Sequence, residues 1–221
     1  HKTAKDMFEN NNDNVLPKHV FDMNRAACQI VYDYFYNDNQ PSYKYPNVIG
    51  YIADRDLWIW KLHESKSINA GLYWKYGPNI DKLENLIEEM ESEDLLNELR
   101  FFGQGVNAHQ QKMISFAEKN ATKAILKFDK ETEYKVYVSS CDRSIRSELG
   151  NILAKKEDCD IALLIATDIK TGDLWISMRS DNKVDLSIVA ASFGGGGHPN
   201  AAGCTWKNRI TDYLSFPTEN K

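Results

Sequence analysis

The sequence predicts an α/β protein whose strands gather in its second half. Three observations lead there. Short runs rich in β-branched and aromatic residues recur at 124–128, 134–138, 161–165 and 174–178. A helix-periodic stretch, 143–153, separates the second run from the third. Ahead of them, 80–119 is charged and amphipathic, the texture of helices rather than of a sheet.

Taken in order, Glu9-Asn10-Asn11-Asn12-Asp13-Asn14 reads as a surface loop. Residues 21–36 follow as a core-facing helix, with Ala26, Ala27, Ile30, Val31, Tyr34 and Phe35 at helical spacing and Asp22 as N-cap. The stretch 36–45 is loop-like. Residues 48–52 are a short apolar run, read as a strand, and Ala53-Asp54-Arg55-Asp56-Leu57-Trp58 follows it. Residues 80–99 form an amphipathic helix with Leu83, Leu86, Ile87, Met90 and Leu95 on one side, and 106–119 form another. Lys170-Thr171-Gly172-Asp173 turns the third strand into the fourth as a hairpin. The organisation is therefore 1–78, a helical connector at 79–120, and a small mixed-sheet α/β domain at 121–221.

The bulk numbers restrict the function. A chain of 221 residues holds one large domain or two small ones, and eleven Tyr, nine Phe and five Trp can fill a real core. The formal net charge of -5 argues against a protein that coats a duplex, so a nucleic-acid substrate would be short and locally held. Cys28, Cys141, Cys159 and Cys204 form no C-x-x-C pair, which speaks against a zinc ribbon or redox dithiol and for a reducing, cytoplasmic setting. No apolar run approaches the roughly 20 residues that span a bilayer, and no signal peptide is visible. The first residue is His1 rather than Met, so the expectation is a piece of a longer protein.

The most informative segment is Phe193-Gly194-Gly195-Gly196-Gly197-His198-Pro199-Asn200-Ala201-Ala202-Gly203. Consecutive glycines can turn their N–H groups into one concavity, an anion nest. Pro199 suits the first turn of a helix that Ala201 and Ala202 would continue, and a glycine loop feeding a helix N-terminus is a phosphate site. His198 stands at the junction, able to donate to a phosphate oxygen. Upstream, Arg179 and Ser180 end a strand; alone, Arg179 reads either as a solvated strand-end cation or as a fork onto phosphate.

Together these blocks resemble a known family. Ile176-Ser177-Met178-Arg179-Ser180, Gly194 to His198 and Ala201-Ala202-Gly203 are similar to the DHH-associated C-terminal domain. Ser147-Glu148-Leu149-Gly150-Asn151 fits the helix which that domain carries before its central strands. His1-Lys2-Thr3-Ala4 resembles the tail of the Asp-His-His signature, and 21–25 and 51–58 resemble later blocks of the catalytic domain in the oligoribonuclease-like branch. The resemblance implies that 1–78 is the C-terminal part of a Rossmann-like parallel-sheet DHH domain and that 121–221 binds substrate. It implies that His1 contacts the scissile phosphate and that Asp54 is a ligand of one of two metals, usually Mn²⁺, with Mg²⁺ as the alternative. It further implies that Arg179 and His198, with Gly196 and Gly197, hold the far end of the substrate; Ser180 and Gly195 complete that set. The upstream Asp-x-Asp, the second-motif Asp and the first signature His are not in this chain, and Ala26-Ala27 stand where relatives often have Ser-Gly.

On its own chemistry Asp54 reads two ways. A carboxylate at a strand's C-terminal edge faces the crevice where open α/β sheets bind ligands, and hard cations favour its oxygens. Equally, Asp54, Arg55 and Asp56 can form a surface ion-pair cluster. Trp58 and Trp60 read as core packing, with base stacking as the alternative. His19, His63 and His109 lack metal-like spacing.

The expected function is two-metal hydrolysis of phosphodiester bonds in short single-stranded oligonucleotides, or of pAp and linear dinucleotides, with a cleft between the domains limiting substrate length. This chain by itself is expected to be inactive. The rivals are a non-catalytic nucleotide-binding remnant and a tRNA-binding or editing module. Editing modules of that kind use a His-x-x-x-His zinc pair, and no two histidines here have that spacing.

Overall fold

The computed structural model describes residues 20–217 except 23, 39, 42–43, 78–84, 129–130 and 208. His1 and the Asn-rich tract lie outside the described residues. The chain divides into two compact units, one within 15–111 and the other within 112–221.

The regular elements described in the first unit are all helices: α1 (Ala27–Tyr36), α2 (Asn47–Asp56), α3 (Ser65–Tyr76), the single turn α4 (Leu86–Glu89) and most of α5 (Glu93–Lys119). Helix α1 starts later than its sequence suggests. Asp22 is not its cap: the carboxylate accepts from Asn24 N at 2.9 Å and Arg25 Nε at 2.7 Å and closes a turn ahead of it. Gln29 does the capping, its Oε1 accepting from Ala26 N at 2.9 Å.

The strand expected at 48–52 is helix α2. A short apolar run suits a buried strand and a buried helical face equally, and here Val48 and Tyr51 share one face, three residues apart, with Pro46 at the start. No parallel sheet is present among the described residues before 112. The core of this unit joins Val48 and Tyr51 to Ile68, Leu72, Met90 and Leu99.

Residues 93–119 are one helix rather than two, running through Gly103 and Gly105. Glycine costs helix propensity, but Gly103 has a packing reason. A Cβ there would lie 1.7 Å from Ser67 O, and one on Gly71 would lie 2.0 Å from Leu99 O. Helices α3 and α5 thus touch backbone to backbone.

The second unit is a seven-stranded sheet in the order β5-β6-β4-β3-β2-β1-β7. The strands are β1 (Thr122–Lys127), β2 (Glu133–Ser140), β3 (Ile161–Thr167), β4 (Leu174–Arg179), β5 (Gly196–His198), β6 (Ala201–Trp206) and β7 (Leu214–Ser215). The β2–β3 pair is parallel and the other pairs are antiparallel, so the sheet is mixed, as the sequence predicts. A 3₁₀ turn (Arg143–Ile145) and α6 (Arg146–Ala154) make the crossover between β2 and β3.

Both faces of the sheet are covered. Leu149 and Leu153 of α6, with Ile114 and Ala117 from the end of α5, pack on Ala162 and Leu164. On the other face α7 (Leu186–Ser192) sets Leu186, Val189 and Ala190 against Leu163, Ile176 and Met178. Central β3 therefore needs apolar groups on both faces, which is why Ile161 to Ile165 carry no polar alternation. No helix among the described residues is long and apolar enough to cross a membrane.

Candidate functional site

The glycine run is not the loop-to-helix device its sequence suggests. Gly196, Gly197 and His198 form edge strand β5 and pair with Gly203, Ala202 and Ala201 of β6. Pro199 and Asn200 are the two residues of a hairpin turn, and Ala201-Ala202 continue as strand. The turn is tied down: Leu186 N donates to Pro199 O at 2.8 Å, and Asn200 Nδ2 donates to Asn182 Oδ1 at 2.7 Å.

The expected anion nest is also partly spent. Gly194 N donates to Ala191 O at 3.0 Å and Gly195 N to Ala190 O at 2.8 Å, so both amides close the C-terminus of α7. A helix end leaves carbonyls without partners, and a following glycine at positive φ satisfies them; Gly194 sits at φ 73°. The remaining need for glycine is closeness. A Cβ on Gly195 would lie 2.1 Å from Gly203 O, and one on Gly197 would lie 2.5 Å from Ala201 O.

What the fold does assemble is a row. Residues paired across antiparallel strands present side chains to the same face. Arg179 pairs with Ala201, and Ala201 pairs with His198. These three therefore share the face that α6 covers over β3 and β4. The next row is Ser177, Gly203 and Gly196, and the one after begins with Trp175 and Thr205. Beyond α6 the floor of this face is small: an alanine, a serine and two glycines between Arg179 and His198.

Arg179 is set in position from α6. Its Nη2 donates to Ser147 Oγ at 3.0 Å and its Nη1 to Met178 O at 2.9 Å. Gly150 makes room, since a Cβ there would lie 2.7 Å from Arg179 Cγ. Burial lowers the guanidinium below its ordinary pKa; Glu148 opposes that shift, and the neighbouring Arg146 adds to it. Neither Arg146 nor Arg179 is in an ion pair among the described residues, although each guanidinium carries five N–H donors. Two half-buried cations on one face, without a paired carboxylate, form a place for an anionic ligand.

Ser180, expected among the binding residues, is buried and engaged elsewhere. Its Oγ donates to Asp160 O at 2.9 Å and accepts from Val184 N at 3.1 Å, while its N donates to Asn200 O at 3.2 Å. It ties the hairpin turn to the end of β4. Arg146 and Trp175 were not singled out in the sequence. Trp175 alternates with Ser177 and Arg179, a period-two signal that was there to be read; Arg146 carries no local signal, because its place depends on how α6 lies on the sheet.

Asp54 belongs to the first unit and lies in the last turn of α2, not at a strand edge. Its carboxylate is buried and accepts from Lys61 N at 2.9 Å and Leu62 N at 3.3 Å. It therefore fastens the segment that follows α2. Trp58 and Trp60 sit in that segment, edge to face with centroids 5.0 Å apart, Trp58 being 40% exposed. No group of three His, Cys, Asp or Glu side chains among the described residues could hold a metal ion. The described residues do not make a metal centre by themselves.

A cavity of about 1100 Å³ opens at the ends of β2 and β3, with Ser139, Thr167, Lys207 and Arg209 on its wall. It is larger than the space beside the glycine hairpin, about 630 Å³. The candidate site is placed at the hairpin, where unpaired cations, a histidine and a floor of small residues coincide.

Residues 131–216, from β2 to just beyond β7, match the DHHA1 domain family. The Gly–His block and Arg179 both lie within this matched segment. An uncharacterized protein of Acanthamoeba polyphaga mimivirus is 26% identical over 186 residues, 83% of this chain. The chain spans only 42% of that relative's length.

Three solved structures are similar to the chain at low TM-scores. An exopolyphosphatase-related protein from Bacteroides fragilis is 16% identical, with TM-score 0.35, over 73% of this chain and 51% of its own. An uncharacterized protein from Helicobacter pylori is 17% identical, with TM-score 0.31, over 95% and 67%. A pGpG-specific phosphodiesterase from Vibrio cholerae is 10% identical, with TM-score 0.42, over 82% and 67%.

Proposed function

We propose that this chain supplies the substrate-holding part of a phosphoester hydrolase acting on short single-stranded oligonucleotides or nucleotide phosphates. The observation that carries the reading is Arg179: a half-buried guanidinium, oriented by Ser147 and the Met178 carbonyl and without an ion pair among the described residues, in one row with His198. The DHHA1 match over 131–216 supports the same class.

In this reading Arg179 and His198 bind and orient anionic oxygens of the substrate. The small floor lets the ligand approach the backbone, and Ser180 and Asn200 keep the hairpin in register. Hydrolysis itself is assigned to a divalent metal centre, Mn²⁺ or Mg²⁺, of the DHH signature; among the described residues only Asp54 is a candidate for it, and its oxygens already hold two amides.

A second reading is a nucleotide-binding protein without catalysis, since the Arg179–His198 row would hold a ligand whether or not hydrolysis followed. The test is Mn²⁺-dependent release of mononucleotides from a short labelled RNA by the full-length protein, with this chain alone as control. Release by the full-length protein supports the hydrolase. Tight RNA binding without release, metal being bound, supports the second reading.

A further inference from the structure

The face that carries Arg179 and His198 continues past them. Trp175 lies on the same side of β4 as Ser177 and Arg179, is 50% exposed, and makes no ring contact with another described aromatic. It borders the pocket of about 630 Å³ together with Gly194, Gly195, Gly203, Thr205 and Lys207. Three of those six residues offer bare backbone, so a flat ligand can lie close against the sheet edge beside an indole.

Arg146 stands over the neighbouring row. Its Nη1 reaches Ser177 Oγ at 3.4 Å, a long bond, and its Nε has no acceptor. Among the described residues no carboxylate pairs with it. Asp142 is engaged with Ser144 N at 2.7 Å, and Glu148 is close enough to act on Arg179 without pairing with either guanidinium. A cation whose donors exceed its protein acceptors has capacity left for an anion.

Trp175 and Ser177 are two residues apart on one strand, hence about 7 Å along it. That spacing places a ring surface and a guanidinium at opposite ends of a nucleoside. We propose that Trp175 and Arg146 form a mononucleotide subsite beside the Gly–His hairpin. The indole stacks on the base and Arg146 holds the phosphate, with Lys207 as a second cation on the pocket wall. Stacking accepts any base, so this subsite measures the presence of a nucleotide and not its identity. The inference rests on the phosphoester reading above and narrows its ligand.

The experiment is calorimetric titration of the full chain with AMP, adenosine and inorganic phosphate. Trp175→Ala is expected to weaken AMP and adenosine about tenfold and leave phosphate unchanged, whereas Trp175→Phe keeps most of the affinity. Arg146→Gln is expected to weaken AMP and phosphate and spare adenosine, and Arg146→Lys to fall between. Thermal melts of these four variants and of His198→Ala report whether they fold, and the exposed Trp175 pair carries the test if the arginine variants do not. If AMP binds the folded Trp175→Ala variant as it binds the parent while His198→Ala weakens it, the subsite is overturned and the phosphoester reading stands. If the parent binds neither AMP nor phosphate, the subsite is overturned, and mononucleotide release from RNA by the full-length protein alone decides the phosphoester reading.

Discussion

Arg179 and His198 lie in one cross-strand row of the sheet, separated by Ala201 and by two strand spacings, about 10 Å. They come from segments 19 residues apart in sequence, and neither is positioned by the other. α6 orients the arginine through Ser147, and the β5–β6 hairpin presents the histidine.

The first prediction concerns this row. Arg179→Ala and His198→Ala should each weaken binding of a short oligonucleotide by about tenfold or more, the usual scale for a lost charged hydrogen bond. Metal content of the full-length protein should stay unchanged in both. Binding assays with metal analysis check this, and a parallel loss of metal would contradict the assignment.

A second prediction separates anchoring from ligation at Asp54. Asp54→Ala removes the acceptor of Lys61 N and Leu62 N in a buried place, so denaturant melts should show a loss of about 1–3 kcal/mol. Asp54→Asn keeps one carbonyl oxygen and should recover part of it. If Asp54→Ala leaves stability at the parent value, its carboxylate does not fasten that segment.

The α3–α5 crossing makes a steeper one. Gly103→Ala puts a methyl group into Ser67 O, which backbone can relieve only by separating the helices. The expected loss is about 3 kcal/mol or more, read by chemical denaturation of the whole chain. Gly105→Ala, where a Cβ meets nothing, should instead be neutral or slightly stabilising.

Burial pushes the Cys204 thiol up to about 12 and the Cys159 thiol up to about 11, from an ordinary value near 9. The folded chain thus favours the neutral thiols. Their contribution is complete below about pH 9 and is lost as pH climbs toward 11 and 12, because the unfolded chain ionises first. Stability should fall across that window, and Cys204→Ala or Cys159→Ala should flatten the fall. At pH 8 both thiols should resist alkylation until the chain is unfolded.

A fifth prediction addresses the salt bridge that precedes α1. Arg25 bonds Asp22 at 2.7 Å and Asp33 at 2.8 Å, and Asp33 is fully buried and also accepts from Tyr45 Oη. Arg25→Met leaves that carboxylate without its guanidinium and should cost about 3–5 kcal/mol. Adding Asp33→Asn should return part of it, as an equilibrium unfolding comparison would show.

Much of the second unit was legible because its signals are local. β3 is a continuous apolar run, β4 alternates, and Lys170 to Asp173 is a turn, so strand type and the mixed sheet followed. The segment 48–52 was not legible, since five apolar residues fit either period and the partners that decide it, Ile68 and Met90, are distant in sequence. The glycine run, read as a loop entering a helix, is instead the edge strand β5, whose glycines are needed for closeness to β6. Nothing in Pro199-Asn200-Ala201-Ala202 reveals that Gly203 returns beneath Gly196. Arg146 escaped notice for the same reason: its meaning comes from Ser177, 31 residues away.

A run of four glycines suggests suppleness, yet in this molecule it is a stiff part. Two of its amides are committed to the end of α7, and its next two residues are stitched to β6, so the backbone has few shapes open to it. A ligand that settles there meets a surface already in place and surrenders little chain entropy to it. Amide exchange through 194–198 should accordingly be slow before any ligand arrives, and binding should change it little.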